Sequence, residues 1–596
     1  TFSQTVAGSN PSVVHHKSNM INPRTQLTAD QLQNPGVAGG PVDNAFFAPI
    51  EPASAVQHGL AVSIAIPQTP MQSNQPGGKV NGKAIDVFPA AILRLTSSEG
   101  DLVPLDRGLL RNPNGDSYWD LTLSPGKVFS EASDGHWSRA ALPFQLSNIF
   151  ENDTHHGIAT FLFNETDISS IFFQVVVETK AFLVPDNLLA WGWLEGCVQS
   201  LSHNECDLTR KAYREEKRDS LPMKSLNIWR SQATENLMRD IEQGFGGDTS
   251  IVNGLVKNEV IYATPCRTAR GDYPYPRSMK FGIWSATKTA FCTIAYLRLA
   301  QVMKEDPRSY EVATLLPEAR GNEKWSGITI GHCMDMATGI GTGAQNGTEP
   351  NVFGDYLIEP WQSRESEEGL NTYNHYHNWF LAPSQHEKNL AAFACPSYPW
   401  PAGTVARYRD QDLYIAGAAL DALLKSHRGP DSRLWDMVRD EVYEPAGIHH
   451  AVKFHTIEPD PASEAPLTDA GLLLTMDNVA ALGKLILDGG KIQDQQILDP
   501  QLLEGIFSFD TNKGLPTGTY TEHGQVHYYG ATWHLPYQSR GGQKMWIPTM
   551  RGYGGQYIQI LPNRTISFRF GFDSYETDER YDALKLVRLA DAVDPF

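Results

Sequence analysis

A serine followed three positions later by a lysine is a minimal arrangement for making a hydroxyl nucleophilic, and Trp284-Ser285-Ala286-Thr287-Lys288 provides one. Three residues make nearly one helical turn, so the two side chains fall on one face within hydrogen-bonding reach. Phe291, Ile294, Ala295, Leu297 and Val302 follow with the apolar density of a buried helix, which puts Ser285 at its start. Main-chain N–H groups there face developing negative charge. A lysine whose pKa is lowered by burial and neighbouring positive charge can take the serine's proton, so Ser285 reads as a nucleophile and Lys288 as its base. The same spacing recurs at Ser124-Pro125-Gly126-Lys127, but Pro125 and Gly126 make that copy a turn and not a helix start.

Further segments follow Ser285 in order. They are Ile283-Trp-Ser-Ala-Thr-Lys-Thr, Ile328-Thr-Ile-Gly-His-Cys-Met-Asp-Met-Ala-Thr-Gly-Ile340, Pro401-Ala-Gly-Thr-Val-Ala-Arg-Tyr408 and Val442-Tyr-Glu-Pro-Ala-Gly-Ile448. Ala470-Gly-Leu-Leu-Leu-Thr-Met-Asp-Asn-Val-Ala and Gly552-Tyr-Gly-Gly-Gln-Tyr-Ile-Gln-Ile-Leu-Pro562 complete the set. Block by block, residues 280 to 575 resemble the β-lactamase-like serine hydrolases. That superfamily includes class C β-lactamases, penicillin-binding proteins, β-lactamase-like esterases and 6-aminohexanoate-dimer hydrolases. The resemblance implies an acyl-enzyme on Ser285, with the second motif's tyrosine at Tyr408 exchanging protons. Two residues on, Asp410 stands where the family carries Asn or Ser. A literal Y-x-N at Tyr376-His377-Asn378 competes, but Tyr408 follows a Pro-x-Gly turn and precedes the helical run Leu413 to Leu424, as the resemblance requires. The third motif falls on Tyr553-Gly554-Gly555, where the family's Lys or His is missing. That loss argues against holding a β-lactam carboxylate, and the Gly-Gly-Gln form is nearer the amide-dimer hydrolases and esterases. By the same likeness the main-chain N–H groups of Gln556 and Ser285 form an oxyanion hole, and Tyr553, Gly554, Gly555 and Asp410 border the substrate. Lys288 and Tyr408 act as general base and acid, and no metal or cofactor is required.

Two other readings compete. His450, His455 or His527 could serve a serine, but no G-x-S-x-G elbow surrounds any serine. The departures at Asp410 and Tyr553 also leave open a degenerate, non-catalytic binding or cell-surface protein.

These residues must be carried by a chain of 596 residues, 41% hydrophobic and 20% charged, too long for one ordinary core. A net charge of −19 disfavours nucleic acid and anionic lipid as partners. No apolar run approaches a membrane span. The expected partner is a small ester, amide or peptide substrate. Residues 1–85, rich in Pro, Gly, Gln, Asn and Ser, read as an extended segment, and 86–215 as a small β-rich accessory domain with runs such as Ile171-Phe-Phe-Gln-Val-Val-Val. Residues 216–596 read as the hydrolase domain, α/β in the broad (α+β) sense, with an antiparallel sheet and segregated helices. Gly341 to Pro396 is expected to wall the pocket. Cys197 and Cys206 flank a short polar segment that a disulfide could close, and sequons at Asn152, Asn164, Asn346 and Asn563 bear weakly on a secreted or periplasmic location.

Overall fold

The computed structural model describes residues 24–35, 39–112, 114–243, 250–341, 375–510, 513–572 and 582–596. Most of the expected pocket-walling segment, with Asn346, lies outside the described residues, as do residues 1–23.

Among the described residues the largest sheet has twelve strands and is antiparallel throughout, built from the first 200 residues. Its order takes in Ala61–Ile66, set between Cys197–Ser200 and Ala91–Ser98, with Val62 opposite Leu95 and Ile64 opposite Leu93. The extended segment read over residues 1–85 therefore has to be shortened. Val62, Ile64 and Ile66 alternate with small or polar residues, a period-2 pattern too brief to stand out against the surrounding Pro, Gly and Gln.

Three central strands of this sheet, Ser138–Ser147, His155–Phe163 and Ile171–Glu178, are buried along their whole length. Both faces are covered, which explains why they read as continuous apolar runs and not as alternation. Ala159, Phe161, Phe163, Ile171 and Phe173 face a core of the sheet's own. Ile158, Leu162, Phe172 and Val176 point the other way, into the core of the rest of the molecule. Polar contacts follow the same seam: Tyr273 Oη donates to Gly157 O at 2.7 Å and Gly282 N donates to Thr154 Oγ1 at 2.9 Å.

After the His203–Asp219 helix the chain enters a second sheet, nine-stranded among the described residues. It is antiparallel except for Met223–Ser225, which runs parallel to Val260–Ala263. Helices Ile294–Met303, Asp410–Arg428 and Met476–Leu487 pack with it to form the larger core, a mixed α+β arrangement. A three-stranded sheet of Phe281–Gly282, Leu472–Leu474 and Val452–Lys453 leads directly into Ser285. All six cysteines are free thiols, Cys197 exposed and Cys206 buried. Asn152 is buried within the molecule, so its sequon is not open to a glycan.

Because Phe172 sits on the shared face, fully buried and stacked on Phe47 with centroids 6.2 Å apart, its truncation should be felt across both sheets. Phe172→Ala is expected to cost about 3–5 kcal/mol. Calorimetry should show one cooperative transition shifted down, and a split into two independent transitions would show that the first sheet folds separately.

Candidate active site

The turn that carries Ser285 is held from two sides. Ile283 N donates to Leu472 O at 3.1 Å, and Trp284 Nε1 donates to Lys180 O at 2.9 Å. Trp284 itself has φ 49, a left-handed conformation that costs a bulky residue of order 1–3 kcal/mol and persists only when its surroundings fix it. The chain then turns into a helix whose first part, Lys288–Thr293, is wound as a π-helix before Ile294–Met303 continues as α. Such π segments concentrate at functional sites.

Lys288 is buried, and its Nζ donates to Ser285 Oγ at 2.8 Å, to Asp410 Oδ1 at 2.6 Å and to the main-chain oxygen of Asp469 at 2.8 Å. Burial opposes the charge on Lys288, but Asp410, Tyr408 and Asp469 outweigh it and hold the ammonium above the ordinary lysine range. This corrects the expectation of a lysine lowered by neighbouring positive charge: the nearest charge is a carboxylate. Tyr408 is buried with its ring 5.0 Å from Lys288 Nζ. Burial raises its pKa, partly offset by Lys288. The ring is stacked on Trp533, centroids 5.6 Å apart.

Asp410 opens the helix Asp410–Arg428, where the helix dipole favours a negative charge. Its second oxygen, Oδ2, accepts from Tyr376 Oη at 2.8 Å. Both tyrosines weighed from sequence are thus in the site, Tyr408 beside Ser285 and Tyr376 behind Asp410. The helix lies close enough to the Asp469 segment that a Cβ on Gly417 would meet Thr468 Oγ1 at 2.1 Å, and Thr468 Oγ1 donates to Leu413 O at 2.7 Å.

Sequence reasoning missed three buried neighbours. Lys388 donates to Trp379 O at 3.0 Å and Phe380 O at 3.1 Å, holding the short helix that carries Tyr376, and burial lowers it to about 8. Lys453 donates to Ala470 O at 2.7 Å and is lowered by burial to about 7. Asp469 is raised by burial, and its Oδ1 has no hydrogen-bond partner. Only the Asp469 position abuts a recognised block, one residue before Ala470-Gly471; the two lysines leave no local sequence signal.

Tyr553-Gly554-Gly555 is the tip of a hairpin between Lys544–Gly552 and Gln556–Ile560. Gly554 and Gly555 have φ 74 and 78, which only glycine adopts without strain. A Cβ on Gly552 would lie 2.1 Å from Ile283 O, so this strand edge meets the chain two residues before Ser285. The Gln556 side chain is turned away, donating to Tyr553 O and Gly571 O at 3.0 and 2.7 Å. Tyr553 packs edge-on to Trp284 and Phe182, centroids 5.2 and 6.0 Å away. Phe182 comes from the loop between the first-sheet strands Ile171–Glu178 and Ala190–Leu194, where the buried Glu151 carboxyl accepts from the main-chain N–H groups of Phe182, Leu183 and Val184 at 2.8 to 3.0 Å.

The rival histidines are engaged elsewhere: His450 with Arg107, His455 against the Trp435 ring and His527 with Gly514 O at 3.2 Å. Ser124 of the second S-x-x-K is buried and donates to Gln145 Oε1 at 3.2 Å, while Lys127 pairs with Asp101.

No family model and no curated protein matches the chain. Solved structures do match it. A Bacillus anthracis protein described as a 6-aminohexanoate-dimer hydrolase aligns with TM-score 0.42 and 16% identity over 63% of this chain and 85% of that one. A penicillin-binding protein homologue from Caulobacter crescentus gives 0.40 and 13% over 61% and 98%. A family VIII carboxylesterase gives 0.39 and 15% over 62% and 98%.

Proposed function

We propose that this protein is a serine hydrolase that cleaves an amide or ester bond through an acyl-enzyme on Ser285. The observation that carries the reading is the contact of Ser285 Oγ with Lys288 Nζ at 2.8 Å, with the Tyr408 ring 5.0 Å from that Nζ, on a turn whose backbone is strained at Trp284. A serine hydroxyl reacts only when its proton has somewhere to go, and here it touches a buried amine that can relay it.

In this reading Ser285 Oγ attacks the substrate carbonyl carbon as its proton leaves through Lys288. The carbonyl electrons shift to an oxyanion held by the main-chain N–H groups of Ser285 and Gln556. Collapse of the tetrahedral intermediate expels the amine or alcohol, protonated by Tyr408, and water then repeats the sequence to release the acid. Trp284, Phe182 and Tyr553 supply an aromatic surface beside Ser285, and Tyr553 replaces the cation that would hold a carboxylate. This suits an amide or ester whose neighbouring group is apolar and uncharged, and disfavours penicillins.

Intact-protein mass after treatment with a fluorophosphonate should show one adduct on the wild type and none on Ser285→Ala. Absence from both would favour a degenerate binding protein. Gly552→Ala, which must push the strand edge away from Ile283 O, should leave the protein folded by circular dichroism and slow labelling up to roughly 100- to 1000-fold, the range seen on loss of an oxyanion donor. Unchanged labelling would remove that edge from the oxyanion hole. Among substrates, p-nitrophenyl butyrate should turn over faster than nitrocefin, and the reverse order would overturn the assignment of Tyr553.

A further inference from the structure

Where the serine's proton finally rests is a separate question, and it is open because Lys288 is held in its charged form. An ammonium has no lone pair, so Lys288 can receive a proton from Ser285 only by giving one up. Its hydrogen-bond acceptors besides Ser285 Oγ are the main-chain oxygen of Asp469, which does not take a proton in this range, and Asp410 Oδ1 at 2.6 Å. Tyr408, as a phenol, cannot accept without losing its own proton, and burial opposes the phenolate.

Resting on the serine-hydrolase reading, we propose that Asp410 is the terminal proton acceptor of the site, acting through Lys288, and that Tyr376 is its positioning residue. As the Oγ–C bond forms, the Ser285 proton passes to Lys288 Nζ while one Nζ–H proton passes to Asp410 Oδ1. The carbonyl π pair goes to the oxyanion. The balance is Ser–OH, Lys–NH3+ and Asp–COO− becoming acylated Ser–O, Lys–NH3+ and Asp–COOH, with the excess negative charge on the oxyanion. When the intermediate collapses the proton returns through Lys288 and Tyr408 to the leaving group.

The groups that face Asp410 include six among the described residues. Lys288 faces it from the helix after Ser285, Tyr376 from His375–Leu381 and Tyr408 from the turn before its own helix. Lys388 reaches it electrostatically from Gln385–Ala394, Asp469 from the loop before Leu472–Leu474 and Tyr528 from the strand Gly524–Tyr529. Lys388 and Lys453 donate to main-chain oxygens, so the cation hydrogen-bonded to the Asp410 carboxylate is Lys288.

The test is the rate of labelling by a fluorophosphonate as a function of pH on the full chain, for the wild type, Asp410→Asn and Tyr376→Phe. For the wild type the rate should fall on the acid side of its profile as the proton acceptor is protonated. In Asp410→Asn the lysine must become its own base. Burial without a counter-ion lowers its pKa, and the acid limb should move upward, by at least about 1.5 pH units, to where Lys288 loses its proton. In Tyr376→Phe the carboxylate loses a donor, its protonated form is favoured, and the limb should move upward by about half a unit or more. If neutral Lys288 were the base of the wild type, its limb would already lie in the alkaline range and Asp410→Asn would move it down. A downward or null shift in Asp410→Asn therefore overturns the proposal. If that variant does not fold, an unmoved limb in Tyr376→Phe does so. No labelling of the wild type at any pH would overturn the hydrolase reading itself.

Discussion

A buried lysine must have acceptors for its charge, and the position of Lys288 imposes that demand on the centre of the molecule. One partner, Ser285, lies a helical turn away, and the other two come from distant parts of the chain, Asp410 and the main chain of Asp469, 122 and 181 residues on. Meeting them at once requires the Asp410–Arg428 helix to begin beside the nucleophile and the Asp469 segment to cross it closely, which the absent side chain of Gly417 permits. Removing one member of such a buried pair leaves the other uncompensated, which is far costlier than the pair itself is stabilising. The ion pair therefore ties the geometry of catalysis to the integrity of the core.

The first sheet takes part in the same construction. Lys180 O fixes the Trp284 indole, Thr154 Oγ1 receives the Gly282 amide, and Phe182 forms part of the aromatic surface next to Ser285. Its shared face, with Ile158, Leu162, Phe172 and Val176, is continuous with the larger core. A segment that by composition reads as an accessory domain is in physical terms one wall of the site, and the strain at Trp284 is sustained partly by it.

What could be read from the sequence depended on whether the signal was local. Ser285 and Lys288 were legible because helix geometry converts a three-residue spacing into a contact. Tyr408 was legible from its turn-then-helix setting, and Asp410 announced itself only as a departure, with no indication that its partner would be Lys288. The direction of the Lys288 shift was misjudged for that reason: a sequence gives the identity of a neighbour 122 positions away but not its nearness. Lys388, Lys453 and Asp469 lie in the same buried neighbourhood without any spacing that marks them. Ala61–Ile66 was lost to the extended segment because six residues of weak alternation carry less signal than the Pro, Gly and Gln around them.

The hairpin at Tyr553-Gly554-Gly555 shows how the two halves of the site constrain each other. Its glycines are demanded by positive φ, and a Cβ on Gly554 would also meet Lys180 Cβ at 2.0 Å, so the turn is shaped against the first sheet. The Gln556 side chain then fastens the turn to Gly571 from the other side, leaving the residue's role beside Ser285 to its main chain. With Tyr553 packed against Trp284 and Phe182, the edge presents aromatic surface where a lysine would have presented charge. The charge here is instead concentrated behind Ser285, in the Lys288–Asp410 pair.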